Sequence, residues 1–188
     1  MPLKHINYNV QISNAIARVE ITQLYQNARD NFIETEYYFS ISPDAAFIEL
    51  SAVIDDRKIL GVVKEKQQAK QEYQEAVQQG RKAAFAEIVE EVHDVMKLQL
   101  GNLGPNEKAE IKLVYLQSLD VMLNKFWKFS IGNTFSSHSI QQPNPSQNSE
   151  DVCNPHTIPS SSPDVYLYDL HIKIVSPTAI SFLKSPTH

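Results

Sequence analysis

KEKQQAKQEYQEAVQQGRK, residues 64–82, reads as a helix. Ala69, Tyr73, Ala76 and Val77 fall at i, i+4, i+7 and i+8, which places them on one narrow apolar stripe. The Lys, Gln and Glu around them are good helix formers. Glu65 lies at the start and Arg81 and Lys82 just past the end, as a helix dipole favours, and Gly80 can supply the left-handed residue that stops it. The spacing predicts a helix over residues 65–79. Its surroundings decide the fold, because almost everything else alternates like a β protein.

Before the helix, residues 5–13 and 15–26 have strand character with a tight turn at Ser13 and Asn14. In the second run Ala17, Val19 and Ile21 share one face and Arg18, Glu20 and Thr22 the other. Strand-like runs follow at residues 32–41, 47–54 and 58–63, the last after a turn at Asp55 and Asp56, so the first half reads as an antiparallel meander. After the helix, strand patterns return at residues 92–100, 107–119 and 126–131, with a turn cluster at residues 101–106. In the second of these Ile111, Leu113 and Tyr115 share a face. Trp127 shares parity with Phe129 and Ile131, which favours a core position. Ser, Pro, Asn and Gln dominate residues 133–164, the composition of a flexible loop. Order returns at residues 165–175, where Tyr166, Tyr168, Leu170, Ile172 and Ile174 form one face. The expected architecture is mainly β: an antiparallel β-sandwich-like domain with one principal helix. It would be a single domain over residues 1–188, with a core at 5–131, a loop at 133–164 and a returning strand at 165–175.

The totals narrow the function. The 188 residues are 42% hydrophobic and 21% charged, a globular balance. Seventeen Lys and Arg against 22 Asp and Glu give a net charge of −5, which argues against a general nucleic-acid binder. No apolar run approaches the ~20 residues that span a bilayer, so no membrane insertion is expected. The single cysteine, the lack of an apolar leader core and the absence of an Asn-x-Ser/Thr acceptor point to a reducing, cytoplasmic setting.

Signatures of catalysis are missing. With five glycines there is no Gly-x-Ser-x-Gly, no phosphate-cradling Gly-Lys-Ser/Thr and no Gly-x-Gly-x-x-Gly. Cys153 and His156 are a metal-type pair, but structural zinc wants four ligands. His5, His93 and His171 stand singly in strand patterns, without the partner a general base requires. Glu87, Glu90, Glu91 and Asp94 lack the alternation and glycine of a calcium loop and read as a solvated cluster guarding a strand edge. No cofactor, metal or catalytic residue is expected.

The helix also carries a resemblance. Lys64, Glu65, Ala69, Tyr73, Ala76 and Gly80 resemble the signature of the VIT (vault protein inter-alpha-trypsin) domain. Ala83 and Ala84 follow it, Ile54 and Asp55 precede it, and Gly101, Asn102, Pro105, Glu107 and Tyr115-Leu116-Gln117 come after. The closing Ser185-Pro186-Thr187-His188 resembles a further small element of such regions. Local departures are Asp56 at a common turn glycine, Asn106 where Pro-Gly is usual and Ser40 at a frequent proline. Asn and Asp tolerate left-handed turn geometry, so the fold is not affected.

The resemblance implies a non-catalytic interaction or scaffold module on the N-terminal side of a von Willebrand factor A domain, which would be its partner in the same chain. Lys66 and Lys70 on the polar helix face are the candidate partner contacts. The competing reading is a ligand-binding β-sandwich for calcium or carbohydrate, with Trp127 or the acidic run at 87–94 as its only candidates. A hydrolase has no visible nucleophile–base pair.

Overall fold

The computed structural model describes residues 3–42, 44–54, 57–62, 64–88, 95–131, 135–140 and 167–186. In chain order the elements are β1 (Leu3–Ser13), β2 (Ile16–Gln26), β3 (Ile33–Ser40), β4 (Ala46–Ile54), β5 (Arg57–Leu60), α1 (Lys66–Gln78), β6 (Ala83–Ile88), β7 (Val95–Leu103), β8 (Lys108–Ser118), β9 (Asp120–Met122), β10 (Phe126–Lys128), β11 (Phe135–Ile140) and β12 (Leu167–Val175). A six-stranded sheet runs β12-β1-β2-β8-β4-β5, a four-stranded sheet runs β11-β3-β7-β6, and β9 and β10 form a separate hairpin.

Alternation builds the core. Ile6, Tyr8 and Val10 of β1, Ala17, Val19 and Ile21 of β2, and Ile111, Leu113 and Tyr115 of β8 are buried on one face of the larger sheet. Met96, Leu98 and Leu100 of β7 oppose them from the smaller sheet. Tyr25 of β2 stacks on Tyr37 of β3 with ring centroids 4.1 Å apart, joining the two layers. The expected mainly β fold with one principal helix is therefore present.

Pairing differs from a meander. β1 and β2 form the expected hairpin, but β3 crosses to the other sheet and β8 takes the place beside β2. β12 returns to the larger sheet, yet parallel to β1, with His5 facing Leu167 and Ser13 facing Val175. β11 lies inside the stretch read as a loop and pairs antiparallel with β3. β6, hidden by its alanines, and the short β9 were not foreseen. Asp55, Asp56 and residues 89–94, 141–166, 187 and 188 lie outside the described residues, so Cys153, His156, His93 and most of the acidic run do too.

Local turn chemistry is legible. Asn14 and Ala15 both take positive φ, 47° and 65°, as a two-residue hairpin with right-handed strand twist demands. Alanine is a poor occupant of that region. Ala15→Gly is expected to raise the unfolding free energy by about 0.5–1 kcal/mol in urea titrations. A lower value would show that the turn is not strained at Ala15.

Candidate interaction site at the helix–sheet junction

Helix α1 packs on the outer face of the four-stranded sheet, making a third layer. Tyr73 is its one buried residue, with Ala69, Ala76 and Val77 half-buried beside it, so the stripe read from the spacing is the docked face. The Tyr73 ring lies 5.9 Å from that of Phe85 on β6, and its hydroxyl donates to Glu34 Oε1 of β3 at 2.7 Å. Burial, then that hydrogen bond, push the Tyr73 hydroxyl far above the ordinary tyrosine range.

The surface under the helix is not the open apolar face its stripe suggests. Around Phe85 it carries Glu34, Glu36, Glu87 and Lys97. Lys97 Nζ lies 3.0 Å from Glu87 Oε1 and 3.5 Å from Glu36 Oε1, while Gln99 donates to Glu36. Lys66 Nζ reaches down from the helix to within 3.1 Å of Glu87 Oε2. Of the two proposed partner contacts, then, Lys66 is tied to its own sheet, and Lys70 is exposed.

Burial alone would raise the Glu87 carboxyl, but Lys97 and Lys66 outweigh it and hold the group below the usual glutamate range. A lowered folded-state value means that this contribution is complete above the unfolded glutamate pKa and is lost as pH falls through the folded one. Glu87→Gln should therefore cost stability at pH 7 and cost progressively less on acidification below about pH 4.3. Equal losses at pH 7 and pH 3 in denaturant titrations would refute the charge pairing.

The remaining signature residues fix the two ends of the helix and the strand beneath it. Lys64 Nζ bonds Glu72 Oε1 and Oε2 at 2.8 and 2.6 Å, tying the segment that enters the helix to its second turn. Glu65 occupies the N-cap without a side-chain cap, and its carbonyl accepts from Ala69 N at 2.9 Å. Neither terminal turn carries the charges a dipole argument would put inside it; Lys66 opens the first turn. At the other end Gly80, at φ 72°, donates to Val77 O while Arg81 N donates to Ala76 O, the paired bonds of a Schellman stop.

Asn102 completes that stop from β7. Its Nδ2 donates to Val77 O at 2.8 Å and Arg81 O at 3.0 Å. Gly101 beside it lies directly under the helix, where an added Cβ would overlap Val77 Cγ2 and sit 3.1 Å from the Tyr73 hydroxyl. Gly101, Asn102 and Leu103 are thus the last residues of β7 rather than part of a turn. The turn itself spans 104–107, with Asn106 at φ 57° and Pro105 exposed. Glu107 Oε2 accepts from Gly104 N at 2.7 Å, and Oε1 pairs with Lys82 just after the helix. Tyr115 lies away from the junction, buried in the core, where burial raises its hydroxyl to about 12.

Two groupings escaped the sequence reading. Arg81 and Lys82 meet Arg57 and Lys58 around a cleft of about 390 Å³ lined also by Ile54 and Ile59, an assembly of two separate stretches that no spacing reveals. Trp127 is 61% exposed, the reverse of the core position its parity favoured. Among the described residues its strand β10 pairs with β9, and Phe129 and Ile131 beyond it pack against the core. Of the single histidines, His5 bonds Asp169 of β12 at 2.7 Å and His171 is exposed.

The arrangement can hold a helix at a fixed height over a sheet and present its polar side outward. Among the described residues there is no group of three or more His, Cys, Asp and Glu that could hold a metal ion, and no helix long and apolar enough to cross a membrane.

The chain is 29% identical over 190 residues to the human protein mono-ADP-ribosyltransferase PARP4, a match covering all of this chain and 11% of that protein. It is 30% identical over 155 residues to mouse von Willebrand factor A domain-containing protein 5A, covering 76% of this chain and 20% of that protein. The human 5A protein is 33% identical over 119 residues. The chain thus spans between a tenth and a fifth of the length of these relatives. Among solved structures, the collagen-binding domain from a Staphylococcus aureus adhesin superimposes with a TM-score of 0.37 at 7% identity, over 73% of this chain and 97% of that one. The vault protein inter-alpha-trypsin domain matches residues 3–115, more than half of the sequence and every signature position gathered around α1, and the chain belongs to that family.

Proposed function

We propose that this chain is a non-catalytic interaction and scaffold module that works beside a von Willebrand factor A domain in a larger cytoplasmic protein. The observation that carries the reading is its family, met in relatives whose names include that A domain. The helix–sheet junction supports it. Its polar atoms are taken up in capping, ion pairs and strand geometry, which suits a rigid platform rather than a reacting centre. The deciding experiment is hydrogen exchange on residues 1–188 alone and within the intact polypeptide. Added protection on one surface of the module in the longer protein is the expected result, and identical exchange would overturn it.

The exposure of Trp127 supports a second reading, a carbohydrate-binding sandwich. Its partner across the hairpin, Val121, is apolar, and the adjacent charged pair, Asp120 and Lys128, lies on the opposite face, whereas a sugar platform wants hydrogen-bonding groups at its rim. Glu87, the one described member of the acidic run's carboxylates, is engaged by two lysines, which disfavours calcium there. Calorimetric titration with calcium and with oligosaccharides separates the readings: heats at the level of dilution favour the scaffold, a saturable isotherm the alternative.

A further inference from the structure

Several large exposed apolar side chains gather at one pole of this molecule, and strand pairing fixes which one. The β1–β2 turn, the end of β8 and the end of β12 lie together there, because Ile16 pairs with Ser118 and Ser13 with Val175. Leu119 N donates to Ala15 O at 2.8 Å, so the β9–β10 hairpin springs from the same place. The segment after β12 comes back onto it, with Phe182 stacked on Phe126 at 5.9 Å.

What this pole shows to water is unusual for a soluble surface. Ile16, Val121, Leu123, Trp127, Phe182 and Leu183 are all about half or more exposed. Met122 pairs with Phe126 and Val121 with Trp127, and the charged pair Asp120 and Lys128 shares a face with Met122 and Phe126, so each face of the hairpin carries large apolar side chains. A two-stranded hairpin of three-residue strands is marginal by itself. One with apolar residues on both faces gains most by being covered. Contiguous exposed apolar surface of more than a few hundred Å² marks interaction sites in soluble proteins. The helix face, by contrast, is charged and already bonded within the chain.

We propose that this pole, the β9–β10 hairpin with residues 180–183, is the surface on which the von Willebrand factor A domain of the same polypeptide docks. The inference rests on the function proposed above and adds the place. Two observations favour this occupant over a second copy or a free peptide. The relatives are five to nine times longer than the match, by the 20% and 11% of each that it covers, and the 5A proteins of mouse and human carry that domain in their names. The segment leaving β12 is itself part of the patch, so a domain tethered through it meets the hairpin at high effective concentration.

The test is lysine cross-linking with mass spectrometry on the intact polypeptide. Lys125 and Lys128 report on the pole, and Lys64, Lys66 and Lys70 on the helix. Cross-links from Lys125 or Lys128 to the A domain are expected, and the pair Trp127→Ser and Phe182→Ser should cut their yield about tenfold, the loss typical of central apolar anchors. Both side chains are more than 60% exposed, so the variant should melt with the parent. Cross-links confined to the helix lysines would leave the functional reading standing and overturn the pole. Yields unchanged by the variant would trace the cross-links to the tether and overturn it as well. Lys125-to-Lys125 links between two copies would make a second copy the occupant. No cross-link from any face would remove both proposals.

Discussion

Tyr73→Ala lowers the unfolding free energy by about 2–4 kcal/mol, the range for truncating a buried aromatic. The helix has a narrow apolar stripe, and in it only Tyr73 is fully buried. A helix of 13 residues is marginal in water without tertiary contacts, so its single anchor should matter out of proportion. The ring fills the space against Phe85, and the hydroxyl satisfies a Glu34 carboxylate that the helix itself removes from water. Tyr73→Phe separates the two contributions. It keeps the ring and leaves Glu34 without its donor, costing about 1–3 kcal/mol. Guanidinium unfolding of both variants reads the difference, and helical ellipticity lost ahead of the β transition would show undocking. A Tyr73→Ala protein as stable as the parent would mean that the helix is not held by this residue.

Gly101→Ala should cost about 1–3 kcal/mol, the usual penalty for overpacking a close contact. Its backbone is not the reason, since Gly80 is the glycine with positive φ among those described. The reason is room. A methyl at residue 101 would overlap Val77 Cγ2, and valine on a helix has little rotamer freedom with which to move aside. The helix would have to rise from the sheet, lengthening the Asn102 bonds to Val77 O and Arg81 O with it. Val77→Ala removes the obstructing methyls, so in that background Gly101→Ala should cost markedly less than in the parent. A double-mutant cycle with no coupling would refute the steric account.

Both predictions concern residues whose types were legible and whose meeting was not. Strand character marked β1, period-2 alternation identified β2 and β8 with their buried faces, and the i, i+4, i+7, i+8 spacing gave α1 and its docked stripe. These are local properties, set by how successive side chains project from a strand or a helix. β6 was hidden because Ala83, Ala84 and Ala86 carry almost no hydrophobic signal; pairing with β7 makes it a strand. β11 was hidden by serines and by the polar composition of its neighbours.

The sequence by itself determined a β protein with one helix, the buried faces of β2 and β8 and the family to which it belongs. Tertiary structure alone decided the exchange of strands between the sheets, the parallel return of β12 and the charged surface beneath the helix. It also placed Gly101 under Val77 and exposed Trp127, which parity had assigned to the core. The physical reason is that alternation states which side chains share a face but not what covers that face. Cover is supplied by segments distant in the chain, and at the β9–β10 hairpin the described residues supply little of it.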